Sequence, residues 1–140
     1  MKPQRTRTNA TNVAPMITAL DHVHLSMPRG NEAKARSYFG GVLGMEEQPK
    51  PDPLALRGGC WFRSGSVIVH VGVEEEFIPP QKAHSAFCVA DLDLVATRLQ
   101  ESGAVVTWDQ TLPNRRRFHT TDPFGNRLEF LRDGDGFSQK

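Results

Sequence analysis

Residues 119–131, HTTDPFGNRLEFL, decide how the chain is read. At their centre Asp122-Pro123-Phe124-Gly125-Asn126 is turn chemistry: Pro presets a negative φ, while Gly and Asn tolerate a positive one. Strand-forming residues flank it on both sides, so the segment predicts a β-hairpin. Beyond the turn the pattern alternates, with Arg127, Glu129 and Leu131 on one face and Leu128 and Phe130 on the other. Glu129 therefore stands beside apolar residues, on a strand whose opposite face is a core face. Burying a carboxylate unpaired is expensive, so it calls for an arginine, a proton or a metal beside it.

Working back from the hairpin, residues 104–108 predict a strand. Before them, Asp91 can cap a helix whose apolar face is Leu92, Val95, Ala96 and Leu99 and which Gly103 ends. Residues 83–89 predict a strand that opens with His84. The first half has the same plan. Residues 20–27 alternate, with His22 and His24 sharing a face. Asn31 then caps a helix striped by Ala35, Tyr38, Phe39, Val42 and Leu43, and Gly44 stops it. A short strand follows at 45–48, then a Pro-containing loop, KPDPLALRGG. A hairpin of 60–63 with 66–73 turns at Ser64-Gly65 and carries His70. Glu74-Glu75-Glu76 and Pro79-Pro80 mark the linker between the halves.

Each half thus reads strand, helix, three strands. The fold class expected is α+β: two βαβββ modules, about residues 17–76 and 82–132, with mixed curved sheet. The modules make one domain over 17–132, preceded by a disordered basic arm (1–16) and followed by a tail (133–140). His22 and His70 lie 48 positions apart (70 − 22), His84 and Glu129 45 apart (129 − 84). The repeat therefore maps His22 onto His84 and His70 onto Glu129, all on first or last strands.

At 140 residues, 38% hydrophobic and 24% charged, the chain suits one globular domain. A net charge of +1 argues against a strong nucleic-acid or membrane field. No apolar run reaches the length that spans a bilayer. Cys60 and Cys88 are too few for a disulfide framework and read as buried thiols of a reducing compartment, with a bridge as the minor alternative. The N-terminal residues lack the apolar segment of a secretory signal, and the expected location is cytoplasmic.

Four stretches carry a family resemblance: LDHVHL, YFGGVLGM, KAHSAF and TDPFGNRLEF. With them the chain resembles the vicinal oxygen chelate superfamily, which groups glyoxalases, extradiol dioxygenases and bleomycin resistance proteins. The resemblance covers about residues 17–132. It implies a metal held by His22, His84 and Glu129, with His70 at a fourth position that is often Glu in the glyoxalase I branch. That histidine is a departure which puts glyoxalase I activity itself in doubt. In several branches two chains dimerise and share their sites, so a homodimer is expected.

Imidazole and carboxylate together suit a divalent ion of Zn, Ni, Fe or Mn. Glu129 and His119 are the expected catalytic residues. His24, Trp61 and Arg117 are the expected substrate contacts, Arg117 as the residue that would steer an anion. Either Trp61 or its neighbour Phe62 must face the cavity, and Trp108 has the same ambiguity. Arg115 and Arg116 read as a solvated face. Two functions remain open. One is a metal-dependent enzyme that chelates vicinal oxygens of a small substrate, as an isomerase, lyase, dioxygenase or resistance transferase. The other is a non-catalytic binder of the bleomycin resistance type, in which Glu129 pairs with Arg127 or another arginine instead of a metal.

Overall fold

The computed structural model describes residues 13–133. Most of the expected arm and nearly all of the tail lie outside the described residues. The elements run β1 (Val23–Met27), α1 (Glu32–Ala35, continuing as a π-helix over Arg36–Val42), β2 (Glu46–Gln48), α2 (Asp52–Ala55), β3 (Cys60–Ser64) and β4 (Val67–Val73). The second module follows with β5 (His84–Val89), α3 (Leu92–Glu101), β6 (Thr107–Asp109), β7 (Arg117–Thr121) and β8 (Arg127–Arg132). The two four-stranded sheets, β1-β4-β3-β2 and β5-β8-β7-β6, have the same order. In each, the first strand runs parallel to the fourth and the rest pair antiparallel. This is the expected α+β pair of βαβββ modules.

The register gives the repeat a physical basis. His24 stands opposite His70 in the β1–β4 pair, and Ala86 opposite Glu129 in the β5–β8 pair. His22 and His84 thus each precede by two positions the residue that faces their module's fourth-strand candidate. Trp61 opposite His70 likewise corresponds to His119 opposite Glu129. One face of each sheet is apolar and lies under its helix, as Phe39 of α1 shows by stacking on Phe62 of β3 at 5.4 Å. Core residues of both modules, among them Met27, Phe39, Phe62, Leu99, Phe118 and Leu128, form one hydrophobic cluster. The opposite faces carry the histidines.

Several local expectations change. Asn31 sits at the start of α1 but makes no cap; its amide donates instead to the Pro28 and Arg29 carbonyls, at 3.0 and 3.2 Å. Asp91 does cap α3, accepting from the Leu94 amide at 3.0 Å. The Pro-containing loop holds a helical turn, because Pro53 falls in the first turn of α2, where its missing N–H has no helical partner to lose. The strand expected at 104–108 is shorter and later, Thr107–Asp109, and the one expected at 20–27 starts at Val23, so His22 lies just before it. Cys60 is buried, but Cys88 is exposed, since it falls on the outward parity of β5 with His84 and Ala86. Phe62 and Trp108 pack on the core side and Trp61 does not. Among the described residues no helix is long and apolar enough to cross a membrane.

The closing turn ties the modules together. Asp122 is 3% exposed, and its Oδ1 accepts the amides of Phe124 and Asn126, both at 2.9 Å. Its Oδ2 accepts from Asn126 Nδ2 at 2.7 Å, and the same Nδ2 donates to the Ser26 carbonyl of β1 at 2.8 Å. Burial pushes the Asp122 carboxyl up from its ordinary range, while these donors pull against that shift.

Candidate metal centre

Glu129, at 5% exposure, is a buried charge on the histidine-bearing face of the second sheet. Its Oε1 is approached at 3.2 Å by Nε2 of His84, which opens β5, and at 3.0 Å by Nε2 of His119, its antiparallel partner on β7. Among the described residues these three form the group of metal-type side chains whose ligand atoms all lie within 4.8 Å of one another.

The hydrogen bonds constrain the protons. His84 Nδ1 lies 2.9 Å from the Lys82 carbonyl, an oxygen that can only accept, so Nδ1 carries the hydrogen. Nε2 is then the nitrogen aimed at a carboxylate oxygen. That contact is repulsive unless a second proton or a cation lies between. A histidine held through its far nitrogen by a carbonyl is the usual support of a metal-bound imidazole. Two imidazole nitrogens and a buried carboxylate oxygen are also a donor set that divalent transition ions accept. The residues therefore fit a metal.

Arg117 enters from β7. It lies 2.9 Å from Asp109 Oδ2 and 3.4 Å from Glu129 Oε1, with Thr111 Oγ1 at 3.5 Å. Asp109 also accepts on Oδ1 from the Thr111 hydroxyl (2.7 Å) and amide (2.9 Å). These bonds hold its carboxyl below the ordinary range, aided by Arg117 and His119. Arg117 is thus paired with protein carboxylates through its terminal nitrogens, while its buried Nε has no partner among the described residues. Arg116 turns away to pair with Asp93 and to stack over Trp108.

The first module's expected residues gather separately. His22 Nδ1 is 2.8 Å from Asp21 Oδ2, which fixes its ring in the same sense as His84. The His22 ring stacks on His70 at 4.1 Å, and Trp61 stacks on His70 from the other side at 4.0 Å. Burial, with the His22 and His24 charges nearby, lowers the His70 pKa. His24 lies over Gly72, where an added Cβ would come within 2.5 Å of its ring. His24 and His84 line one cavity of about 450 Å³. The chain thus brings His84, His119, Glu129 and Arg117 together on one sheet, and His22, His70 and Trp61 on the other. It does not gather all four expected ligands into one group among the described residues.

The Asp109 and Lys82 contributions were missed from sequence. Asp109 had a signal, since opposite charges favour direct cross-strand pairing and it faces Arg117. A backbone carbonyl such as that of Lys82 leaves none.

A sequence model of the Glyoxalase/Bleomycin resistance protein/Dioxygenase superfamily matches residues 20–130. The chain is similar to a solved glyoxalase family protein from Bacillus anthracis, with 43% identity and TM-score 0.81 over 86% of this chain and 98% of that one. It shares its fold with a lactoylglutathione lyase from Agrobacterium tumefaciens (17% identity, TM-score 0.67, 89% and 99% covered). It also shares its fold with a mutant of the fosfomycin resistance protein FosX from Listeria monocytogenes in complex with Mn(II) (15%, TM-score 0.71, 84% and 93%). No curated protein matches the chain.

Proposed function

The chain belongs to the glyoxalase, bleomycin resistance protein and dioxygenase superfamily, and from that premise we propose that it is a metal-dependent enzyme acting on a small substrate with vicinal oxygens. The observation that supports this most is the aim of His84 Nε2 and His119 Nε2 at one oxygen of buried Glu129, with the His84 Nδ1 hydrogen committed to Lys82. His84 and Glu129 would hold the ion, with His22 of a second copy. A bound divalent ion supplies Lewis-acid stabilisation to oxygens that gain negative charge. His119 Nε2 is placed to hold or hand on a proton beside Glu129. Arg117 keeps the carboxylate oriented, while His24 and Trp61 offer the substrate an imidazole and an aromatic wall. Isomerase, lyase, dioxygenase and resistance transferase chemistry are all served by such a site. The free thiols of Cys60 and Cys88 suit a reducing, cytoplasmic setting.

Thermal denaturation tests this. A ligand of the folded state alone, at a hundred times its dissociation constant, adds about 2.7 kcal/mol of stability. Protein loaded with Zn, Mn, Ni or Fe(II) is expected to melt several degrees above chelator-treated protein; identical melting with every ion would overturn the reading.

One observation favours the alternative, a binder without metal: Arg117 already stands 3.4 Å from Glu129. Its shorter contact, however, is to Asp109 at 2.9 Å, which is also the better-supported carboxylate partner. If Glu129 were only the mate of Arg117, substituting either residue would cost similar stability and change no metal affinity.

The dimer follows from the same faces. His22 and His70 are presented on a sheet face away from the core, as are His84 and Glu129 on the other. A two-fold pairing would join each set to its complement from a second copy. Sedimentation is expected to give the mass of two chains at micromolar concentration, and the mass of one chain would contradict it.

A further inference from the structure

Arg127 opens β8 opposite His84 in the parallel pairing and two positions before Glu129, so it shares their face of the sheet. The other charged pairs on this module are closed: Arg117 to Asp109 and Glu129, Arg116 to Asp93. Arg127 is half-buried and, among the described residues, has neither an ion pair nor a hydrogen bond from its side chain.

Two cavities, of about 450 and 390 Å³, both reach Arg127 and Pro80. The larger, on the His24 side, also contains Glu74, which would repel an anion. The smaller has no acidic residue and offers His119, Thr107, Thr121 and Gln81 with Arg127. Pro79 lines the cavity and packs against the closing turn. The fit is close: a Cβ on Gly125 would come within 2.9 Å of the Pro79 ring.

We infer that Arg127 anchors an oxyanion of the substrate, a carboxylate or a phosphate or phosphonate group, in the cavity beside His119. A guanidinium fork matches either group with two parallel hydrogen bonds, and Thr107 and Thr121, which share the face of His119 and Arg127, add hydroxyls beside it. The inference deepens the proposed function and rests on it for where the reactive end of the substrate lies. The anion site itself stands on Arg127 and its cavity.

The test titrates metal-free, full-length protein with inorganic phosphate and, separately, with acetate, following backbone amide shifts. At least one anion is expected to shift the amides of Thr107, His119 and Thr121, and the tighter of the two names the class. Arg127→Gln is expected to weaken binding by roughly tenfold or more, the scale of a charged hydrogen bond. Arg127→Lys, which keeps the charge and loses the fork, should fall between. No shift with either anion in the wild type, or equal affinity in Arg127→Gln, would overturn the inference. Metal titration of the same proteins separates the two claims. A wild type that binds anion through Arg127 but no metal would sink the proposed function and leave the anion site standing.

Discussion

Glu129→Gln is expected to lower divalent-metal affinity by more than about a hundredfold, since even partners one step removed from a metal are worth roughly 10–100-fold. The side chain keeps its shape and burial, so folding is disturbed little; what is lost is the charge on which His84 and His119 converge. Turnover of any substrate should fall with the metal. Arg117→Gln, which removes the competing partner of Glu129, should leave the metal bound. Equal metal affinity in wild type and Glu129→Gln would return Glu129 to the role of an ion-pair mate.

Asp122→Ala should produce the largest change in stability. It takes the acceptor from two backbone amides and from Asn126 Nδ2, in a turn that also links β1 to the second module through Ser26. A buried donor left without a partner costs about 1–3 kcal/mol, and relief of the buried carboxylate offsets part of this. A net loss of roughly 2–4 kcal/mol corresponds to a fall in Tm on the order of 10 °C. Asp122→Asn, which keeps an acceptor for the amides, should lose less. A change of Tm below about 2 °C in Asp122→Ala would show that the turn holds without its carboxylate.

The fold was legible because its signals are local and repeat. Turn chemistry at 122–126, the apolar stripes of α1 and α3, and strand alternation each state a face, and the second half confirms the first. Details decided by competing local chemistry were less legible. The wide turn of α1, where the Leu43 amide bonds the Tyr38 carbonyl five residues back, gave no separate signal at Gly40-Gly41. Proline at the start of α2 read as loop, although it is a good first-turn residue.

The candidate site was legible in part. Parity put His84, His119 and Glu129 on consistent faces, and register brings them together. Parity says nothing about which sheet meets which, so the separation of His22, His70 and Trp61 from that group had no sequence counterpart. Arg117 was the arginine suspected of meeting an anion, yet Asp109 and Glu129 occupy it, which leaves that role to Arg127. Side-chain pairing of this kind depends on strand neighbours brought together only by folding.

The most direct measurement is the metal content of purified protein after incubation with Zn, Mn, Ni or Fe(II) and removal of free ion. One tightly held ion per chain is predicted, displaced by chelator and restored on adding metal back. Protein that retains no ion under any of these conditions would contradict the metal centre.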